Sequence, residues 1–448
     1  MTVPPAPVRF DQAQQLAMDF AREAAGQGAD VLVVRDILGR LSLALDDREP
    51  GASLSAETVA YWRTRMAEKL GSYAMQNPVI LASELFVADQ VFDSPRILPA
   101  PIPASEPGQG RIRLLNNTVV GEDWAHVMPL QSDEPASRST RTALYGFKGG
   151  VGRSTATYML AQHLADQDLC VLVVDLDLES PGSGPLLLSG KQLPEYGLID
   201  YLVEAAVGNA ENLDLVARAS QVTTVGNGEL WVAPAAGRGP TDGPYTYIDK
   251  LNRVYADTPS AGAPGFAERL EAAVTACEEA VQRRSRRPDA VLLDSRAGIH
   301  DIAAVTISRL ADLTLLFGSD NGQTWAGYRN LFTAWNASGQ ATAIRERLRM
   351  VAAMVPDTRR VEYLEAFREH AWECFSVLYD DQTAEDPTGF NPAPEDIAAP
   401  HAPIPILFSM ELVGLDGASA RGWSNQTLVR AAYGEFLDTA SRLIVEGS

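Results

Sequence analysis

The stretch ALYGFKGGVGRSTATYMLAQHLA, Ala143 to Ala165, runs an apolar segment, a glycine-rich turn and a segment of helical spacing directly into one another. Gly149, Gly150 and Gly152 carry no side chains, so several backbone N–H groups of the turn can converge on one anion. A helix that starts immediately afterwards adds the partial positive charge of its N-terminus. The order strand, glycine turn, helix therefore reads as a phosphate-binding loop made of Lys148, Gly149, Gly150, Val151, Gly152, Arg153, Ser154 and Thr155. Its pattern puts the Ser154 hydroxyl where it can ligate a Mg2+ ion between β- and γ-phosphates, and Thr155 where it can meet an α-phosphate. The general pattern GxxxxGK[ST] fails twice, with Phe147 at its first glycine and Arg153 at its lysine. Arg153 keeps the positive charge but presents a planar fork able to grip two oxygens.

Two further apolar runs end in carboxylates. CVLVV, Cys170 to Val174, leads into DLDLESPG, Asp175 to Gly182, and DAVLLDSRAG spans Asp289 to Gly298. In open α/β sheets ligands bind beyond the C-terminal ends of the strands, which is where Asp175, Asp177 and Asp294 fall. Asp294 is expected in the Mg2+ shell, with Gly298 as a backbone hinge able to sense a γ-phosphate. Arg296 has two readings: it stabilises charge on a transferred phosphate, as an arginine finger does, or it pairs with Asp175 or Asp301.

Taken together, FKGGVGRS, VVDLDLESPG and LLDSRAGIHD resemble the deviant Walker A ATPases of the ParA/MinD type, of the SIMIBI class. They are most similar to a bacterial branch that recurs in signalling and phage-defence gene neighbourhoods. The resemblance covers Arg141 to Trp335 and does not reach the N-terminal region. It implies ATP and Mg2+ as cofactors and a homodimer formed on ATP binding. It implies that Lys148 reaches the phosphates of nucleotide held by the partner subunit, that Asp177 orients attacking water, and that Asp175 supports the metal. Arg153 in place of lysine implies slow turnover. Where relatives often carry an adenine-recognising Asn after a late strand, the run Met350 to Val355 here meets Pro356 and Asp357.

Around this region the chain alternates between strand-like runs and helical spacing from Arg141 onward. Ala143–Phe147, Cys170–Val174, Leu230–Ala233, Ala290–Leu293, Leu313–Phe317, Met350–Val355 and Pro405–Phe408 are near-continuous apolar runs, as strands buried on both faces should be. The expected fold is α/β, a mainly parallel sheet flanked by helices, preceded by a small α+β domain. The expected division is 1–97 as an accessory domain, 98–140 as a Pro-rich linker with a docking segment near Trp124, and 141–448 as the ATPase domain. The segments Gly237–Gly265 and Asp380–Pro403 read as solvated loops.

Composition narrows the function. The 448 residues carry a formal net charge of -21, which repels nucleic acid and anionic lipid alike unless a local patch overrides it. The one dense cluster, Arg283, Arg284, Arg286 and Arg287, reads as solvated cations at a helix C-terminus. Cys170, Cys277 and Cys374 form no CxxC or Cys/His pattern, so neither a disulfide framework nor a zinc site is expected. No apolar run approaches the roughly 18 residues of a membrane helix, and the N-terminus has no secretory pattern, so a cytoplasmic location is expected. His163 reads as packing and His300 as a surface residue. The leading expectation is a slowly hydrolysing ATP switch that controls a protein partner. Its alternatives are a DNA partition ATPase and a scaffold that binds nucleotide without turnover.

Overall fold

The structure, a computed structural model, describes residues 8–48, 54–94, 96–99, 110–117, 122–128, 139–219, 226–239, 245–256, 264–380, 389–410 and 427–446. Contacts divide the chain into two units, Met1–Glu122 with Ala337–Gly339, and Asp123–Asn336 with Gln340–Ser448.

In the first unit, α1 (Phe10–Gly26) precedes β1 (Asp30–Arg35) and β2 (Leu41–Asp46), which pair antiparallel about a turn at Gly39, φ +82°. α2 (Ala56–Leu70) is capped by Ser55, whose hydroxyl accepts from the Thr58 N–H at 3.1 Å. β3 (Ala74–Leu81), α3 (Ala88–Phe92), β4 (Ile97–Pro99) and β5 (Ile112–Asn116) follow, and the sheet order is β3-β2-β1-β5-β4. Strand alternation gives the sheet two apolar faces. Val31 and Val33 pack among side chains of α1 and α2, while Leu32 packs with Phe92. The Pro-rich stretch expected as a linker lies outside the described residues between 100 and 109, and its flanks, β4 and β5, pair antiparallel.

The second unit holds β6 (Thr140–Gly146), α4 (Arg153–Ala165), β7 (Cys170–Asp175), α5 (Ser183–Leu187), α6 (Leu198–Ala206), β8 (Ala217–Arg218) and β9 (Glu229–Ala233). It continues with α7 (Tyr247–Val254), α8 (Phe266–Arg284), β10 (Ala290–Asp294), α9 (Asp301–Val305), β11 (Leu313–Gly318) and α10 (Gly322–Ala337). α11 (Ala341–Ile344), β12 (Leu348–Val355), α12 (Arg360–Phe375), β13 (Ile404–Leu407) and α13 (Thr427–Glu446) complete it. The sheet order is β13-β12-β11-β6-β10-β7-β9-β8, parallel throughout except for the short β8 against β9. Leu144, Val171 and Val173 face α4 and α13. Their neighbours Ala143, Leu172 and Val174 face α6 and α8, and Tyr145 faces α10.

This is the expected architecture: a mainly parallel sheet covered by helices, with an additional α+β unit before it. Trp124, in the expected docking segment, is buried in the second unit's core against Trp335 and Tyr145, ring centroids 6.0 and 6.3 Å away. Because β6 lies between β11 and β10, and β10 between β6 and β7, the glycine turn and both carboxylate-bearing strand ends emerge side by side.

Candidate nucleotide site

Gly146 ends β6, and the glycine turn leads into α4 with Gly152 as its N-cap. Gly150 and Gly152 have φ of +80° and +77°, the left-handed region that costs glycine nothing. No side chain caps α4, so the N–H groups of its first turn, including those of Arg153, Ser154 and Thr155, lack the partner that a Ser or Asp at the cap would supply. Lys148, Gly149 and Gly150 are exposed, and a Cβ on either glycine would meet open space. Val151 is buried in the core at the base of the turn. Phe147, at the position of the missing first glycine, lies so close to α10 that a Cβ on Gly327 would meet its ring at 2.3 Å.

Behind the turn, Asp294 at the end of β10 is the register partner of Asp175 at the end of β7, and both are fully buried. Asp175 is turned into its own loop: Oδ2 accepts from the N–H groups of Gly184 (2.8 Å) and Gly182 (3.1 Å), and Oδ1 from that of Asp177 (3.3 Å). Burial, reinforced by the charge of Asp294, raises the pKa of Asp175. Asp177 is also buried, and its carboxyl is raised by that burial against the opposing pull of Arg153.

Arg153 makes the tie between these strands. Its Nε donates to Asp294 Oδ1 at 2.9 Å and its Nη2 to Asp177 Oδ2 at 3.2 Å, with only 8% of the residue exposed. The other Asp294 oxygen, Oδ2, is buried and has no hydrogen-bond partner among the described residues. A Cβ on Gly182 would lie 2.5 Å from Ser154 Oγ and 3.6 Å from that same Oδ2, so the bare glycine leaves a small recess beside a hydroxyl and an orphaned carboxylate oxygen. These are hard oxygen donors, a set that fits Mg2+. Among the described residues no group of three or more His, Cys, Asp or Glu side chains could hold a metal ion unaided, as is usual for Mg2+ carried partly by phosphate and water.

The segment after β10, expected as a switch, is fastened to the strand that carries the glycine turn. Ser295 N–H donates to Leu144 O at 3.1 Å, Gly298 N–H to Gly146 O at 3.2 Å, and Tyr145 OH to Gly298 O at 3.1 Å; Gly298 has φ +81°. Arg296 pairs with neither Asp175 nor Asp301 but with Glu179, four residues beyond Asp175. Tyr255 OH donates to Glu179 Oε1 at 2.6 Å, and His300 Nε2 stands 3.6 Å from the same oxygen. His300 is half-buried, N-caps α9, and has its pKa lowered by burial and by Arg296.

The family described as CbiA, the CobQ/CobB/MinD/ParA nucleotide binding domain, matches residues 142–385, more than half of the chain. The chain belongs to that family. Solved structures similar to this member of the CobQ/CobB/MinD/ParA family include pNOB8 ParA bound to nonspecific DNA, 13% identical, covering 69% of this chain and 99% of that one at a TM-score of 0.43. The ParA family ATPase from Chlorobium tepidum TLS is 15% identical, covering 68% and 98% at a TM-score of 0.42. The Pyrococcus furiosus cell division ATPase MinD is 19% identical, covering 68% and 99% at a TM-score of 0.40. No curated protein matches in sequence. No helix among the described residues is long and apolar enough to cross a membrane.

Within this nucleotide-binding domain, the structure gathers Arg153, Ser154, Asp175, Asp177 and Asp294 around one point, while Lys148 is exposed on the turn. Sequence reasoning missed Gly182, Glu179, Tyr247 and Tyr255. The last two belong to the segment read as a solvated loop, Gly237–Gly265, yet Tyr247 OH donates to the Leu178 carbonyl and Tyr255 OH to Glu179. A signal was available for α7: Tyr247, Leu251 and Tyr255, its C-cap residue, recur at four-residue spacing and pack on the core. The arginine cluster is more engaged than expected. Arg284 donates to the Val216 carbonyl and Asp214, and Arg286 to the carbonyls of Asp168 (2.7 Å) and Asn227 (3.2 Å).

Proposed function

We propose that the chain is an ATP-dependent switch that binds ATP with Mg2+, hydrolyses it slowly, associates with a second copy in the ATP-bound state and thereby controls a protein partner. The observation carrying this reading is the side-by-side arrangement of a side-chain-free turn, an uncapped helix N-terminus, the Ser154 hydroxyl and the orphaned Asp294 oxygen. The N–H groups from Gly149 to Thr155 hold phosphate oxygens, and the α4 dipole adds to that attraction. Ser154 and Asp294 hold Mg2+, which when bound neutralises charge on the β- and γ-phosphate oxygens. Asp175, its oxygens held by backbone N–H groups, fixes the loop that carries Asp177 and supports the metal site through it. Asp177 orients the water that attacks the γ-phosphate. Gly298, bonded to Gly146 at the base of the turn, couples the switch segment to the state of the phosphate. Lys148, exposed on the turn, reaches the phosphates held by the second copy, and the partner protein docks on the N-terminal unit. Membership of a signalling or phage-defence system rests on the motif resemblance.

The test is phosphate release from ATP and Mg2+ by the full chain, beside nucleotide affinity measured separately. Asp177→Ala is expected to lower turnover at least about tenfold with affinity within about threefold, as loss of a group that acts only in the transition state requires. Undiminished turnover removes the water-orienting role. A scaffold without turnover is the second reading, favoured by the engagement of Arg153 with two aspartates, and it predicts bound ATP that never becomes ADP. A partition ATPase needs a free basic surface, and in the dense arginine cluster Arg284 is engaged with the Val216 carbonyl and Asp214, and Arg286 with the carbonyls of Asp168 and Asn227.

A further inference from the structure

The guanidinium of Arg153 stands between the carboxylate proposed to hold the metal, Asp294, and the one proposed to orient water, Asp177. Nε holds Asp294 Oδ1 and Nη2 holds Asp177 Oδ2, across 141 and 24 residues of sequence respectively. Asp294 is fully buried and Asp177 nearly so, and Asp175, also fully buried, is the register neighbour of Asp294. Asp294 and Asp177, in so little water, need a compensating cation, because an unpaired buried charge is far more costly than a paired one, whereas Asp175 is held by the backbone N–H groups of its own loop. The planar fork of arginine can satisfy two carboxylates at once, which the single ammonium of lysine at this position does less well. Arg153 therefore does for these two carboxylates what a divalent cation would do, and a cation arriving alone would meet a positive charge already seated.

We propose that Arg153 is the resident counter-ion of the nucleotide-free site, and that it excludes divalent cations until a phosphate group draws it off the two aspartates. A phosphate seated on the turn competes for the guanidinium because it offers charged oxygens in the paired geometry that arginine holds best. When Arg153 turns to it, Asp294 Oδ1 and Asp177 Oδ2 are released. Half of the cradle, Ser154 Oγ and Asp294 Oδ2, is open already. Nucleotide is thus the first ligand and the metal the second, and the arginine that departs from the family's lysine is the residue that sets the order. The sequence of events rests on the phosphate-binding reading above. The exclusion of free metal does not.

The probe is Mn2+ with the full chain, its free concentration followed by electron paramagnetic resonance and thermal unfolding measured in parallel. Wild type is expected to bind Mn2+ without nucleotide at least tenfold more weakly than Arg153→Met does. The variant, with Asp294 and Asp177 left without their cation, should melt lower than wild type in chelator and recover on adding Mn2+. Adding ADP to wild type should raise its Mn2+ affinity at least tenfold after the Mn2+ that ADP binds in solution is subtracted, and by a larger factor than in Arg153→Met, which has no arginine to withdraw. The inference is overturned if wild type binds Mn2+ equally well with and without ADP while ADP itself is bound. It is equally overturned if Arg153→Met gains no affinity. Should Arg153→Met not fold, Arg153→Lys replaces it, with a smaller gain of the same sign expected and no gain counting against the idea. If wild type binds no ADP at all but Arg153→Met gains Mn2+, the phosphate reading fails and the counter-ion role stands.

Discussion

A methyl group on Gly182 would lie 2.5 Å from Ser154 Oγ, closer than real Cβ contacts come, and 3.1 Å from Ser154 Cβ, tighter than most of them. Gly182→Ala should therefore push the first turn of α4 away from β7, at a cost of roughly 1–3 kcal/mol for overpacking. Mg2+-dependent nucleotide affinity is expected to fall at least about tenfold, whereas affinity in chelator, which uses only the turn, should change little. Equal losses with and without Mg2+ would show that Ser154 does not ligand the metal. Glu179 supplies the second residue-level expectation. It holds Arg296, which lies near enough to Asp177 to pull its carboxyl's pKa down. Glu179→Ala should lower turnover about tenfold at unchanged nucleotide affinity, and adding Arg296→Ala should lower it no further, since coupled residues do not add. A full further drop in the double variant would make the two independent.

What was readable at this scale was local. Three glycines within four positions, a hydroxyl two residues on and carboxylates at the ends of apolar runs all lie within single segments, so their backbone geometry follows from the residues alone. The partners of Arg153 and Arg296 were not readable that way. They come from other strands and loops brought near by sheet order, and spacing carries no information about which carboxylate an arginine will choose.

At the scale of elements, the parallel strands were legible because each is apolar on both faces, and in such a sheet the C-terminal strand ends are where a candidate site is sought. α7 was not legible, because it is short and lies in a Gly- and Pro-rich segment, although Tyr247, Leu251 and the C-cap Tyr255 pack against the core at helical spacing while the tyrosine hydroxyls make long-range hydrogen bonds. Tyr247 holds the Leu178 carbonyl, Tyr255 holds Glu179, and Lys250 reaches Asp200 at 2.5 Å. Removing both hydroxyls, Tyr247→Phe with Tyr255→Phe, should cost about 1 kcal/mol each, concentrated in the loop they hold. Amide exchange across Leu176–Gly182 is expected to speed up about tenfold while the strands of the sheet exchange as before. Uniform acceleration would mean that α7 stabilises the whole fold rather than this loop.

His401 gives the same scale a pH dependence. It is fully buried, with Tyr379 OH 2.7 Å from its Nδ1 and the Pro394 carbonyl 3.2 Å from its Nε2, and burial lowers its pKa. The unfolded chain then takes up its proton first as pH falls, so stability is full above the ordinary histidine value near 6.5 and declines below it, until the folded value is reached. Asp175 and Asp177, with raised pKa values, act in the opposite direction, gaining stability as pH falls toward the ordinary aspartate range. Their contribution cancels when wild type is compared with His401→Gln. Urea unfolding from about pH 7.5 to about pH 5.5 should show wild type losing stability faster than the variant, by at most about 1.4 kcal/mol per pH unit for one proton. Parallel curves would mean that His401 is protonated equally in both states.

For the whole molecule the decisive property is its charge of -21, which separates the two kinds of partner that a member of this family would be tested against. Two copies of the same acidic chain repel one another over distances comparable to the Debye length, about 10 Å at 0.1 M salt, so added salt should favour their association. Binding to DNA runs the other way, because it is driven by counterion release and weakens steeply with salt. Sedimentation of the full chain with ATP and Mg2+, alone and with duplex DNA, at about 25 mM and about 250 mM KCl, therefore distinguishes the switch reading from the partition reading. Association that strengthens with salt and disappears in Lys148→Ala is the outcome expected of a dimer in which the exposed lysine of the turn reaches across to the other copy. Lys148→Ala removes a positive charge from each copy and so raises their mutual repulsion slightly. Association that the variant loses at about 25 mM and regains in full at about 250 mM would mean that Lys148 acts only through net charge. Association that stays lost at both concentrations would require a specific contact, and only that result supports a lysine reaching the phosphates held by the second copy.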